Sequence, residues 1–175
     1  MKSLKQFSSL SYLFLCLLLA GLVTSCDTDI PEVDNEKPAV RLTIQGPGLN
    51  SSMDNPPQEV WNGPGGVQYL NLNSGVPYDF TLIATDAGGV SKAILAMPTG
   101  VNITLDGAGT ISTVGVQQVI TLEGDPTNPL TGLVITGTAV FPRGYVFDFN
   151  VTAQDYGGES GPLNSRYMQV SAFSN

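Results

Sequence analysis

The chain has no histidine among its 175 residues. This absence excludes Ser-His-Asp and Cys-His catalysis, histidine-based zinc sites and the commonest general base. No P-loop sequence is present, and the acidic residues occur singly rather than as an evident catalytic pair. The sequence therefore predicts a protein that is not an enzyme and carries no cofactor.

Cysteine is almost absent. Of the two cysteines, Cys16 lies inside an apolar run and Cys26 follows that run. Lys2 and Lys5 precede this uncharged run at residues 10–23, which is too short for a membrane-spanning helix of about 20 residues. The pattern predicts a secretory signal peptide over residues 1–25. Its removal would leave Cys26 as the sole cysteine, so no internal disulfide is expected.

Basic residues are scarce, with 7 lysines and arginines against 15 acids and a net charge of −8. Loss of residues 1–25 would remove Lys2 and Lys5 but no acid, which takes the net charge to −10. An acidic chain without a basic stripe excludes nucleic acid as an expected partner. Residues 26–38 are polar, acidic and interrupted by proline, and they predict a flexible tether with nothing to bury.

No segment shows a sustained helical spacing of apolar residues, whereas an apolar residue at every second position is frequent. Apolar side chains alternate with mostly polar ones over residues 78–85 and 145–154, as in half-buried strands. Shorter runs of this kind, separated by glycine- and proline-rich turns, occupy residues 40–44, 67–72, 90–97, 101–105, 116–122, 133–140 and 166–173. These runs predict one all-β domain over residues 39–175, a β-sandwich of about 7–9 strands.

One phrase occurs twice, as "ATDAGGVS" from residue 84 and "AQDYGGES" from residue 153. In both copies an alternating strand ends in aspartate, and two glycines follow. Glycine provides the positive φ or uncrowded backbone that a tight corner needs, and aspartate can accept hydrogen bonds from the amides of the turn. We expect a hairpin bend at each copy, with these structural corner residues: Asp86, Gly88, Gly89, Asp155, Gly157 and Gly158.

The stretches "TLIATDAGGVSKAIL" and "FDFNVTAQDYGGES" resemble the bacterial immunoglobulin-like domain. In that family a strand ending in "ATD" leads through a glycine corner into a strand beginning "VSK". The resemblance implies an immunoglobulin-like antiparallel β-sandwich. The interval from Met97 to Arg143 is longer than a compact member needs, which leaves the middle strands open.

Residues 22–26, "LVTSC", resemble the lipobox of bacterial lipoproteins. The resemblance implies that Cys26 is acylated, with palmitate among its acyl chains, and becomes the new N-terminus. The acidic run behind Cys26 resembles a signal that exports some Gram-negative lipoproteins to the outer face of the outer membrane. We therefore expect a lipid-anchored, surface-exposed outer-membrane lipoprotein.

Residues 45–66 are the least patterned part of the chain and contain its only tryptophan, Trp61. Loops longer than about 12–15 residues are usually functional or disordered. Trp61 could stack on a sugar while Asp54, Glu59 and Asn62 form hydrogen bonds to it. The alternative is that Trp61 folds back and closes an open end of the sandwich.

Calcium is a second hypothesis, because Asp86 and Asp155 offer the oxygen ligands that this cation prefers. The chain lacks a compact D-x-D-x-D-G loop, so we favour corner capping and expect no metal.

Together these features predict a non-enzymatic, lipid-anchored binding or assembly module of the cell envelope. Its partner would be another envelope protein or a glycan. One alternative is a carbohydrate-binding accessory lipoprotein of a polysaccharide-uptake system that uses the Trp61 loop. Another is a structural subunit that docks through an edge strand.

Overall fold

The computed structural model describes residues 30–55 and 69–175, and within these ranges the chain forms eleven strands and no helix. The all-β prediction is confirmed, although the strands outnumber the predicted seven to nine. No helix in the described ranges is long and apolar enough to span a membrane. The strands are β1 Ala39–Gly46, β2 Leu49–Asn55, β3 Tyr69–Leu72, β4 Pro77–Thr85, β5 Val90–Pro98, β6 Asn102–Leu105, β7 Thr110–Val114, β8 Gln117–Glu123, β9 Leu133–Val140, β10 Tyr145–Asp155 and β11 Ser165–Ser174.

The strands form two sheets, in the orders β2-β1-β4-β9-β6 and β3-β11-β10-β5-β8-β7. The inner strands β1-β4-β9 and β11-β10-β5 reproduce the A-B-E and G-F-C orders of immunoglobulin domains. Apart from β3, which runs parallel to β11, the paired strands described are antiparallel. The predicted immunoglobulin-like sandwich is thereby confirmed.

The core lies between the sheets and is filled by alternate residues of the strands that showed a period of two. In β4 the alternation places Phe80, Leu82 and Ala84 inward, each at most 2% exposed. In β10 it buries Phe149, which contacts Phe141 edge to face with ring centroids 5.8 Å apart. Burial of each large apolar side chain contributes about 1.5–3 kcal/mol, so the two strands that carry the doubled phrase also stabilise the core.

Two strands were not predicted from the sequence, β2 and β7. The first lies inside the stretch interpreted as loop, residues 45–66, and that interpretation is wrong for Leu49–Asn55. Its polar residues are paired across the strands, Thr43 with Ser52 at 3.2 Å and Gln45 with Asn50 at 3.1 Å. Cross-strand pairs of this kind stabilise a ladder without an apolar pattern, which explains why periodicity did not reveal it.

The two corners are alike in sequence but differ in topology. The Asp86 corner joins β4 of the five-stranded sheet to β5 of the six-stranded sheet, so it is a crossover and not the predicted hairpin bend. The Asp155 corner joins neighbouring strands, β10 and β11. In immunoglobulin domains the B–C and F–G connections lie at the same end. Both corners therefore occupy one end of the sandwich, called here the corner end, and the other is the far end.

Candidate functional site

Three aspartates meet at the corner end. Asp86 follows β4, Asp155 ends β10, and Asp34 belongs to the segment that precedes β1. One carboxylate oxygen from each residue lies within 4.8 Å of the other two. Asp34 is 5% exposed and Asp155 is fully buried. We call these three residues the aspartate clasp.

The first corner is bound to the N-terminal segment through one backbone amide. The N–H of Gly88 donates to Oδ2 of Asp86 and to Oδ2 of Asp34, at 2.9 Å in both cases. The N–H of Glu36 donates to the other oxygen of Asp34, at 2.8 Å. Asp86 thus caps its own turn, whereas Asp34 caps the same turn from a position 54 residues earlier in the chain.

The second corner is closed by Asn164. Its backbone N–H donates to Oδ1 of Asp155 at 2.6 Å, and its side-chain amide donates to Oδ2 at 2.9 Å. The same amide nitrogen lies 3.0 Å from the carbonyl oxygen of Asp34. Asn164 therefore links the second corner to the N-terminal segment, a role that nothing in the sequence indicated.

Backbone hydrogen bonds extend this docking along the N-terminal segment. The N–H groups of Glu159 and Ser160 donate to the carbonyl groups of Pro31 and Glu32, at 3.0 and 2.9 Å. The N–H of Asp34 donates in return to Gly157, at 3.3 Å. The sequence predicted that residues 26–38 bury nothing. In their described part this is wrong, since Asp34 is buried and bonded to both corners.

The corner glycines permit these close approaches. A Cβ on Gly88 would lie 2.7 Å from the backbone nitrogen of Gly158 and 2.9 Å from Oδ2 of Asp34. Gly158 has a φ of 73°, and a Cβ there would collide with the carbonyl oxygen of Pro31. Gly89 and Gly157 also have positive φ, at 88° and 73°.

The carboxyl groups of the clasp differ in proton affinity. Partial burial, followed by the hydrogen bond with Asp34, raises the pKa of Asp86 from its ordinary value to about 7. The pKa of Asp34 is lowered, chiefly because it accepts the backbone hydrogen bond from Glu36. Two carboxyl groups in such contact cannot both ionise without repulsion, so they share one proton, which stays mainly on Asp86.

Carboxylate oxygens in this arrangement are also the ligands that Ca²⁺ prefers. Both oxygens of Asp34 and both of Asp155 already accept hydrogen bonds from N–H groups of the chain. As it stands, the cluster is a hydrogen-bonded clasp in which the carboxyl groups of Asp34 and Asp86 share a proton.

The remaining predicted site residues do not join the clasp. Asp54 lies on β2 and forms an ion pair with Arg41, with Oδ1 2.5 Å from Nε. Its carboxylate is therefore engaged away from the clasp. Trp61, Glu59 and Asn62, which were predicted to bind a sugar with Asp54, lie outside the described residues, as does the predicted lipidation site Cys26.

A shallow groove lies at the far end, on the outer face of the six-stranded sheet. The pairing of β10 with β5 begins only at Asn150, so the first residues of β10 diverge from β5 and leave a space of about 410 Å³. Val116 and Val146, which are 78% and 64% exposed, line it together with Pro98 and Asp148. Nothing in the sequence indicated this groove, because strands distant in the chain form it.

The fold and this site define an immunoglobulin-like β-sandwich whose N-terminal segment is fastened to the two connections of the corner end. No family model matches the chain, and no curated protein matches it. Among solved structures it is similar to AggA, the major subunit of aggregative adherence fimbriae type I from Escherichia coli. The identity is 10% and the TM-score 0.39, over 83% of this chain and 100% of the AggA chain. A likeness at this level carries no conclusion about function.

Proposed function

We propose that this chain is a lipid-anchored, non-enzymatic module of the outer cell envelope that binds or assembles with another envelope component. The observation that carries the proposal is the position of the N-terminal segment, which Asp34 binds to the corner end. Cys26 precedes Asp34 by eight residues, which span at most roughly 29 Å when extended. A lipid on Cys26 would thus hold the corner end close to the membrane.

The opposite end would then face away from the membrane. The groove between Val116 and Val146 lies at that end and presents exposed apolar surface beside the polar side chains of Asp148 and Asn150. Apolar surface flanked by polar groups is typical of binding sites. This arrangement supports binding of a partner at the far end, whereas binding of a glycan through Trp61 is a separate hypothesis on residues outside the described ranges.

The two cysteines provide a matched test of the anchor. We expect the full chain, produced in a Gram-negative host, to partition into the detergent phase and to carry acyl mass on Cys26. Cys26→Ser should remove both properties because no thiol remains at the predicted acylation position. Cys16→Ser, inside the apolar run, should leave both unchanged.

Protease treatment of intact cells tests exposure on the outer face. We expect the wild-type chain to be cleaved while a periplasmic marker protein stays intact. Detergent partitioning of Cys26→Ser equal to that of the wild type, or protection of the wild-type chain on intact cells, would overturn the corresponding part of the proposal.

A further inference from the structure

Strand β7 is an edge with no strand on its outer side in the described part of the chain. It closes the six-stranded sheet and pairs only with β8, from Thr110 opposite Thr121 to Val114 opposite Gln117. All five of its residues are exposed. An edge of this kind presents a row of backbone donors and acceptors to any strand that approaches it.

The usual protections of an edge strand are missing from β7. Its sequence, Thr-Ile-Ser-Thr-Val, has no charge and no proline, and four of its five residues are β-branched. Such residues favour extended pairing, and neither charge nor proline opposes it. The other described edges differ, since β2 carries the charged Asp54, which is ion-paired with Arg41 of β1, while β3 and β6 have only four residues each.

Charge selects the occupant of this edge. The chain has a net charge of −8, so two copies repel each other over most of their surfaces. Residues 107–122, which contain β7 and most of β8, include no charged residue. This hairpin is therefore a surface on which a second copy meets no like charge.

Exposed apolar side chains lie in the same hairpin. Ile111 is 43% exposed and Val114 is 64% exposed, in a strand that otherwise displays hydroxyl groups. Pairing with another strand would remove part of this apolar area from water while it satisfied the free backbone groups of the edge.

We propose that β7 pairs antiparallel with β7 of a second copy of this chain, which joins two six-stranded sheets into one continuous sheet. A two-fold axis through the middle of a five-residue strand places Ser112 opposite its own counterpart. Thr110 then lies opposite Val114, and Ile111 opposite Thr113. This association does not depend on the lipid anchor.

The test uses co-production of two copies of the full chain that carry different affinity tags. After solubilisation, one tag is captured and the recovery of the other is measured. We expect the wild-type copies to co-purify. Ser112→Lys in both copies should reduce recovery several-fold, because like charges directly opposite each other in a sheet repel.

A mixture of charges provides the decisive comparison. Ser112→Lys in one copy and Ser112→Glu in the other should restore recovery, since opposite charges then face each other across the axis. Asn102→Lys, on the edge strand β6, is the matched control and should co-purify like the wild type. Circular dichroism and the Tm of each variant verify folding, and the restoration with mixed charges requires that both variants fold.

Three results would overturn the proposal. The first is a failure of wild-type copies to co-purify. The second is equal recovery for the wild type and for the pair of Ser112→Lys copies. The third is a loss of recovery with Asn102→Lys equal to that with Ser112→Lys, because the effect of the added charge would then not be specific to β7.

Discussion

Asp86 has a charge that depends strongly on the fold. Its pKa rises from 3.8 to about 7, because it is partly buried and lies beside Asp34 and Asp155. Between about pH 4 and pH 7 the folded protein therefore keeps a proton that the unfolded chain has lost. Stability falls with pH wherever the folded state binds more protons, so this contribution is lost as pH rises through that window. Asp34, with its lowered pKa, acts in the opposite direction only at lower pH.

We predict that the Tm of the wild type falls between about pH 5 and about pH 8 and that Asp86→Asn weakens this fall. Asparagine stays neutral at every pH, so the variant should be the more stable protein at about pH 8, by a few degrees. Asp79→Asn, which removes an exposed acid from β4, the strand that precedes Asp86, is the control and should keep the wild-type pH dependence. Parallel pH profiles for the wild type and Asp86→Asn would show that Asp86 does not hold the proton.

These thermal measurements are made with a chelator and then repeated with Ca²⁺. A rise in the wild-type Tm with Ca²⁺ at about pH 8 that is absent in Asp86→Asn would show that a cation can replace the proton. Equal wild-type Tm values with and without Ca²⁺ would show that the clasp binds a proton and not this cation.

At the scale of the corner element, glycines in the corners differ from glycines in open turns in how closely other atoms surround them. One glycine of each kind has nearly the same φ, so the two form a matched pair for substitution. Gly48 and Gly158 have nearly the same φ, 74° and 73°. A Cβ on Gly48 would meet nothing within 4 Å, whereas a Cβ on Gly158 would collide with the carbonyl oxygen of Pro31. The pair therefore separates backbone strain from crowding by the N-terminal segment.

We predict that Gly48→Ala lowers the free energy of unfolding by about 1–2 kcal/mol, the cost of a left-handed backbone with a Cβ. Gly158→Ala should cost at least about 1 kcal/mol more, because it also displaces Pro31 and its hydrogen bond from Glu159. Urea denaturation measures both values. Equal losses would show that the N-terminal segment contributes no stability at this corner.

The strands that were predicted from the sequence are those in which apolar and polar residues alternate. Alternation in β4 and β10 reflects one face that contacts the core, so a period of two was sufficient. The sequence of strand β2 shows little of this pattern, because Met53 contacts the core while Ser52 and Asn50 pair with Thr43 and Gln45 of β1. Strand β7 is exposed on both faces, and exposure leaves no periodic signal.

At the scale of the whole molecule, the site was only partly predictable. The doubled phrase identified Asp86 and Asp155, because each aspartate lies where its strand meets the glycine turn: Asp86 directly follows β4, and Asp155 ends β10. Asp34 could not be singled out among the acids that follow Cys26. Its partners, Gly88 and Asn164, are separated from it by 54 and 130 residues, and only the folded topology brings them together.

This long-range contact makes Asp34 the link between the N-terminal segment and the sandwich. Deuterium exchange at the amides of Glu159 and Ser160 reports on that link, because both amides donate to the segment. We predict that Asp34→Ala accelerates exchange at these two amides several-fold, since the segment loses its hydrogen bond from Gly88 and the internal one from Glu36. Exchange in β4 and β10 should change little, because their hydrogen bonds lie within the sheets.

Glu36→Ala is the matched control, because it removes an acid of the same segment whose described role is donation from its backbone N–H. It should leave exchange at Glu159 and Ser160 close to that of the wild type. Equal acceleration of exchange in both variants would show that the effect comes from the loss of a negative charge and not from the lost hydrogen bonds of Asp34. Unchanged exchange in Asp34→Ala would mean that the backbone bonds to Pro31 and Glu32 hold the segment without the clasp. The corner end would then be fastened by its main chain alone.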